Sequence, residues 1–180
     1  MSDASAHRIL VIDDEIFVRD LLFEFFTKLQ FNVSVAADGN AGITLFQQSL
    51  FDVILVDLKM PGKSGIETLR EIHHIRSTTP VIVMTGYPTI DSSIEALRLG
   101  AYDYIIKPFK LQELKEVVDR AIKEQELHSE IDSLREKVHT IEAELRQYRS
   151  TTTERIRGEG ASIVTLPDPA PSRTAHVRRS

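Results

Sequence analysis

The chain contains no cysteine. Disulfides, a thiol nucleophile and cysteine zinc sites are therefore excluded. No apolar run approaches the roughly 20 residues that a membrane-spanning helix needs. The start, Met1 to Arg8, is polar and is backed by no apolar segment of signal-peptide length. A soluble, cytoplasmic protein away from the membrane is the expectation. Neither sign of charge dominates: the net charge of -5 over 180 residues gives no whole-chain case for nucleic-acid binding. There is no Gly-rich Walker-type loop, and no helix-turn-helix pattern follows Ser150. The sequence thus argues against direct DNA contact. No internal repeat is present, and the adjacent His73 and His74 fit no metal spacing with a second cluster.

What the chain does contain is four short apolar runs, each ending without a spacer in a polar residue. Ile9 to Ile12 runs into Asp13 and Asp14, Val53 to Val56 into Asp57, Val81 to Met84 into Thr85, and Tyr104 to Ile106 into Lys107. Short β-branched runs of this kind read as buried parallel strands. Phe31 to Val35 alternates at period two and reads as a further strand. Between the runs lie helical patterns. Phe17, Leu21, Leu22, Phe25, Phe26 and Leu29 have i, i+3, i+4 spacing; Ala41 to Leu50 and Ile66 to Ile75 follow, then a helix opening at Gly86-Tyr87-Pro88 and reaching Leu99, and a fifth beginning at Leu111. Gly100 fits a helix stop. Five strands alternating with five helices predict an α/β fold with a doubly wound parallel sheet.

In open α/β sheets ligands bind beyond the carboxyl ends of the strands. Asp13, Asp14, Asp57, Thr85 and Lys107 would converge on that edge. Three neighbouring carboxylates repel unless a cation is present. Mg²⁺ suits them, because it takes oxygen ligands and joins one or two carboxylates to a phosphate. Asp14 and Asp57 are the candidate direct ligands, with Asp13 acting directly or through water and a carbonyl of the loop after Asp57 adding another oxygen. Asp57 stands alone before a Pro- and Gly-containing loop and is the candidate nucleophile, since carboxylates can attack phosphorus to give an acyl phosphate. Phosphoryl transfer needs mainly positioning and charge neutralisation. The Lys107 ammonium and the Thr85 hydroxyl would serve the phosphoryl oxygens.

Together, Val11-Ile12-Asp13-Asp14-Glu15, Asp57-Leu58-Lys59-Met60-Pro61-Gly62 with Gly65, Thr85-Gly86 and Lys107-Pro108-Phe109 resemble a bacterial response-regulator receiver domain over residues 8–123. The resemblance implies a five-stranded (βα)₅ sheet of flavodoxin-like order. It implies Asp57 as phosphoacceptor, taking phosphoryl from a phosphohistidine on a sensor histidine kinase or phosphotransfer protein. Asp13 and Asp14 match the family's acidic metal pair, and Lys59 the position that lends its backbone carbonyl to Mg²⁺. Thr85 and Lys107 match the switch hydroxyl and lysine, Tyr104 the switch aromatic, and Lys107-Pro108 a peptide that is commonly cis in the family. Lys59 and Tyr87 stand where side chains tune acyl-phosphate lifetime. No separate enzymatic turnover is expected: an aspartyl phosphatase of the haloacid dehalogenase type needs an acid two residues after its nucleophile, and here that residue is Lys59.

Beyond the fifth helix's core-facing residues a new register begins. Leu127, Ile131, Leu134, Val138, Ile141, Leu145 and Tyr148 alternate at spacings of four and three, a heptad seam. Ile131, Val138 and Leu145 fall at a; Leu127, Leu134, Ile141 and Tyr148 fall at d. Across a parallel pair, Glu130 faces Arg135, Lys137 faces Glu142 and Glu144 faces Arg149, all of opposite charge. A coiled coil over 124–149 that continues the fifth helix, forming a parallel homodimer through 127–149, is expected, followed by a disordered tail over 150–180. A receiver with a charged coil resembles the start of nitrogen-regulation-type activators, and the downstream protein is not named by the sequence.

Overall fold

The structure, a computed structural model, describes residues 6–160, with side chains to residue 149. Its elements alternate: β1 (Arg8–Ile12), α1 (Ile16–Lys28), β2 (Asn32–Ala36), α2 (Gly39–Gln48), β3 (Val53–Asp57), α3 (Gly65–Ile75), β4 (Val81–Thr85), α4 (Ile90–Arg98), β5 (Asp103–Ile106) and α5 (Leu111–Gly160). The five strands form one parallel sheet in the order β2-β1-β3-β4-β5. This is the flavodoxin-like order expected, with its reversal between β1 and β3, the place where such sheets open a crevice.

Each central strand is apolar on both faces because both faces are covered. Leu10, Ile12, Ile54, Val56, Val81 and Val83 point to one side, against Phe46 of α2, Leu69 and Ile72 of α3 and Ala96 of α4. Ile9, Val11, Val53, Leu55, Ile82 and Met84 point to the other, against Leu22 and Phe26 of α1 and Leu114, Val118, Ala121 and Ile122 of α5. The period-two alternation along one strand thus feeds two separate cores.

Local chemistry sets the boundaries. Asp38 caps α2 by accepting the Ala41 N–H at 2.9 Å, so α2 starts at Gly39, before the expected Ala41. Ser64 and Glu67 form a capping box on α3. A second, formed by Thr89 and Ser92, starts α4 at Ile90. The Gly86-Tyr87-Pro88 segment therefore lies ahead of the helix instead of inside it. At the far end, Gly100 (φ +88°) and Ala101 donate to the carbonyls of Leu97 and Ala96, both at 3.0 Å. That is a Schellman termination, which favours glycine at its left-handed position.

Of the apolar residues spaced along α1, only Leu22 and Phe26 are fully buried, while Leu21 is exposed and Phe17 is 84% exposed. A short helix can press only its central stripe onto the sheet. One expectation needs correction: the helix that begins at Leu111 does not end near Arg149 but runs to Gly160. Residues 150–160 include Thr151 to Thr153, weak helix formers, but no proline that would stop the ladder. The rest of the expected tail, 161–180, lies outside the described residues.

The chain divides into two compact units, one ending at Ile131 and one starting at Asp132. The first holds the sheet. In the second, Leu134, Val138, Ile141, Leu145 and Tyr148 are exposed along α5. Arg135 pairs with Asp132 at 3.2 Å and Arg146 with Glu142 at 3.7 Å. No described helix is long and apolar enough to cross a membrane.

Candidate functional site

The sheet brings its strand ends to one edge. Asp57 and Thr85 are the last residues of β3 and β4. Asp13 directly follows β1, and its N–H donates to the Ala36 carbonyl at 3.1 Å. Lys107 directly follows β5, and its N–H donates to the Thr85 carbonyl at 2.7 Å. Parallel register does the rest: Asp57 lies opposite Met84 and Thr85 opposite Ile106.

Lys107 is the hub. Its ammonium lies 2.7 Å from Asp13 Oδ2, 2.9 Å from Asp57 Oδ1 and 3.3 Å from Glu15 Oε1. The lysine side chain is 13% exposed, that of Asp13 is fully buried and that of Asp57 is 6% exposed. Burial pulls the ammonium's pKa down, but its hydrogen bonds to Asp13 and Asp57 outweigh that and push it up to about 12. Asp13 goes up from its ordinary value because burial disfavours its charge; Lys107 and the Glu15 N–H only partly offset this. The remaining carboxylate oxygens are also held. Asp13 Oδ1 accepts the Glu15 N–H at 2.9 Å, and Asp57 Oδ2 accepts the Lys59 N–H at 2.8 Å.

The other expected site residues take different places. Asp14 is exposed beside Asp13. Thr85 is buried at the same edge, and its hydroxyl accepts the Tyr87 N–H at 3.2 Å. Lys59 enters through its amide. Tyr104 is not brought to the carboxylates: its ring packs on the α3–α4 side, with its hydroxyl 3.1 Å from Ser92 Oγ. The Lys107-Pro108 peptide is cis. Two residues outside the expected set join the site. Glu15 reaches Lys107, and the Arg19 guanidinium donates to the carbonyls of Asp13 and Asp14. Glu15 was signalled by following the acid pair; Arg19 had only its place one helical turn later. Beside the carboxylates opens a groove of about 490 Å³, with Val18, Leu21, Tyr87, Lys107 and Phe109 in its walls.

Does this donor set suit a divalent cation? Among the described residues, no three carboxylates or imidazoles are placed to hold a metal by themselves. The pair Asp13 and Asp57, joined by Lys107, is an all-oxygen set. Three carboxylates (Asp13, Asp57, Glu15) against one ammonium leave a local net charge of -2. That suits a Mg²⁺-like ion, which uses one or two carboxylates and keeps several waters.

The sequence matches the family described as "Response regulator receiver domain" over residues 9–119. The chain belongs to the response-regulator receiver family. Among its relatives is "Regulatory protein AtoC" of Escherichia coli (strain K12), 41% identical over 134 residues, covering 74% of this chain and 29% of that protein. Another is "Sporulation initiation phosphotransferase F" of Bacillus subtilis (strain 168), 34% identical over 113 residues, covering 63% of this chain and 91% of that protein. A CheY-like receiver domain protein from Methanospirillum hungatei JF-1 shares the fold with a TM-score of 0.68 at 31% identity, over 69% of this chain and 99% of that one. The match therefore covers the receiver fully, but this chain spans only 29% of AtoC and 26% of "Transcriptional regulatory protein ZraR". The expectation against direct DNA contact rests on sequence composition and motifs alone and gains no support from these names.

As a receiver of two-component response regulators, the protein combines a doubly wound sheet with an acidic pocket at its carboxyl edge. A single lysine, Lys107, pairs with both of that pocket's buried carboxylates.

Proposed function

We propose that Asp57 is the phosphoacceptor of this receiver, taking a phosphoryl group from a phosphohistidine on a sensor histidine kinase or phosphotransfer protein. The observation that carries this is the Asp57 carboxylate at the end of β3, held between Lys107 Nζ and the Lys59 N–H with Asp13 on the same lysine. An Asp57 oxygen attacks phosphorus, the P–N bond breaks, and the imidazole leaves with the electron pair. Asp13, Asp14, Asp57 and the Lys59 carbonyl would hold Mg²⁺, which when bound would supply charge neutralisation for the phosphoryl oxygens. Lys107 stays on the pocket to balance the acyl phosphate, and Thr85 turns its hydroxyl from the Tyr87 amide toward a phosphoryl oxygen. Tyr104, tied to Ser92 of α4, follows as the switch aromatic. The protein carries a signal and has no separate turnover.

The donor's helix docks at the groove beside the pocket, where Leu21 and Tyr87 stand 51% and 75% exposed. The output is a contact with another protein through α5, which also supports a parallel homodimer through 127–149. The exposed seam and its complementary flanking charges favour this. The seam begins at Leu127 for a visible reason: at the two preceding seam positions, Arg120 pairs with Asp103 at 2.9 Å and Glu124 accepts the Tyr102 hydroxyl at 2.8 Å. A second reading, as the receiver portion of a larger nitrogen-regulation-type activator, is favoured by the small share of AtoC and ZraR that the chain spans.

The test is incubation of the wild type and Asp57→Asn with acetyl phosphate and Mg²⁺, followed by intact-mass measurement. One phosphoryl adduct on the wild type and none on Asp57→Asn is expected. A wild type that takes up none, or an adduct that survives in Asp57→Asn, would sink the assignment.

A further inference from the structure

Arg19 lies on α1 yet turns back to the end of β1. Its Nη1 donates to the Asp13 carbonyl at 2.6 Å and to the Asp14 carbonyl at 2.9 Å. These carbonyls belong to the two residues that lead from the strand into the helix. The turn has little other support from caps: the N-cap residue, Glu15, makes no side-chain capping bond to α1. What else fixes it is the Asp13 N–H on the Ala36 carbonyl and the Glu15 N–H on Asp13 Oδ1. One planar guanidinium nitrogen with two N–H groups thus orients two successive peptide planes. Their direction decides where the Asp13 and Asp14 carboxylates can reach.

We propose that Arg19 is a positioning residue for the divalent cation, acting through the backbone of the acid pair. The proposal rests on the reading of the pocket as a Mg²⁺ site. Electrostatics alone gives Arg19 the opposite sign: a guanidinium beside a cation site repels the cation, so removing it should tighten binding. A positioning role makes removal weaken binding, because partners that orient metal ligands typically carry a tenfold to hundredfold effect on affinity. The direction of one measured change separates the two.

The experiment is calorimetric titration of the full chain with Mg²⁺ alone, at fixed ionic strength, for the wild type, Asp57→Asn, Arg19→Met and Arg19→Lys. Urea unfolding without metal accompanies each. Met keeps the apolar stem without donors. Lys keeps the charge, but on a stem that lacks the planar fork. Arg19→Met is expected to bind Mg²⁺ about tenfold more weakly, with Arg19→Lys between it and the wild type. Unchanged or tighter binding by Arg19→Met overturns the proposal, as does full wild-type affinity in Arg19→Lys. If Arg19→Met does not fold, Arg19→Lys carries the test alone. A wild type that binds no Mg²⁺, or binds it equally well as Asp57→Asn, overturns the underlying site reading instead.

Discussion

Replacing Lys107 by Met removes the ammonium and keeps most of the stem, so it isolates the charge at the centre of the pocket. In the wild type that ammonium holds two nearly buried carboxylates at 2.7 and 2.9 Å. Breaking a buried pair from one side typically costs 3–5 kcal/mol, because a charge is left without a partner. Asp13 and Asp57 keep the Glu15 and Lys59 N–H bonds, which holds the loss to the lower end, about 3 kcal/mol. For a domain of this size that corresponds to a fall in Tm of about 12 °C, at roughly 4 °C per kcal/mol. Mg²⁺ should restore the variant more than it helps the wild type, since the dication no longer competes with the lysine. At a concentration one hundred times its Kd it contributes about 2.7 kcal/mol. The gap also has a pH signature. A lysine whose pKa is 10.5 unfolded and about 12 folded contributes stability that is full below 10.5 and disappears as pH rises through 12. At the acid end the gap closes as Asp13 protonates, above its ordinary 3.8. Urea unfolding followed by far-ultraviolet circular dichroism, with and without Mg²⁺, measures all three. A metal-free loss below about 1 kcal/mol, or equal Mg²⁺ stabilisation of both proteins, would refute the hub role given to Lys107.

Three further outcomes are expected. A Cβ at Gly65 would sit 2.1 Å from the Asp57 carbonyl oxygen and 2.7 Å from Leu58 Cα, so Gly65→Ala should cost about 2 kcal/mol in urea unfolding. It should also slow acetyl-phosphate labelling by displacing Asp57. Leu134→Ala in the seam should weaken self-association by about 2 kcal/mol per helix, read by sedimentation velocity over a concentration series, with receiver phosphorylation unaltered. Leu21→Ala should slow phosphoryl transfer from a protein phosphohistidine by about tenfold but leave labelling by acetyl phosphate unchanged; equal effects on both would place Leu21 outside the docking surface.

The strand ends were legible because four β-branched runs each stop on a polar residue, and parallel register converts those stops into one edge. The unbroken apolar runs likewise marked strands buried on both faces. Helix faces were less legible. A 3.6-residue period marks Phe17 and Leu22 alike as apolar, but only the sheet decides that Leu22 lies under it and Phe17 beyond its rim. The α4 start was missed because the Thr89–Ser92 box, not the Gly-Tyr-Pro segment, begins the ladder. Arg19 was illegible for a different reason. Its bonds go to backbone carbonyls, which every residue has, so no pattern of side chains announces them.

The helix that closes the receiver also sets a phase. Leu114, Val118, Ala121 and Ile122 of α5 face the sheet core, while Leu127 and Ile131 begin the seam in the open. At about 100° per residue, those two groups lie on roughly opposite sides of the cylinder. In the proposed dimer, the same helix would serve its own sheet and a second copy without either contact excluding the other. The few residues between Ile122 and Leu127 act as an angular spacer. One residue inserted there would leave both apolar groups intact and rotate one against the other by about 100°. In this stretch, length carries the information that elsewhere in the chain is carried by residue type.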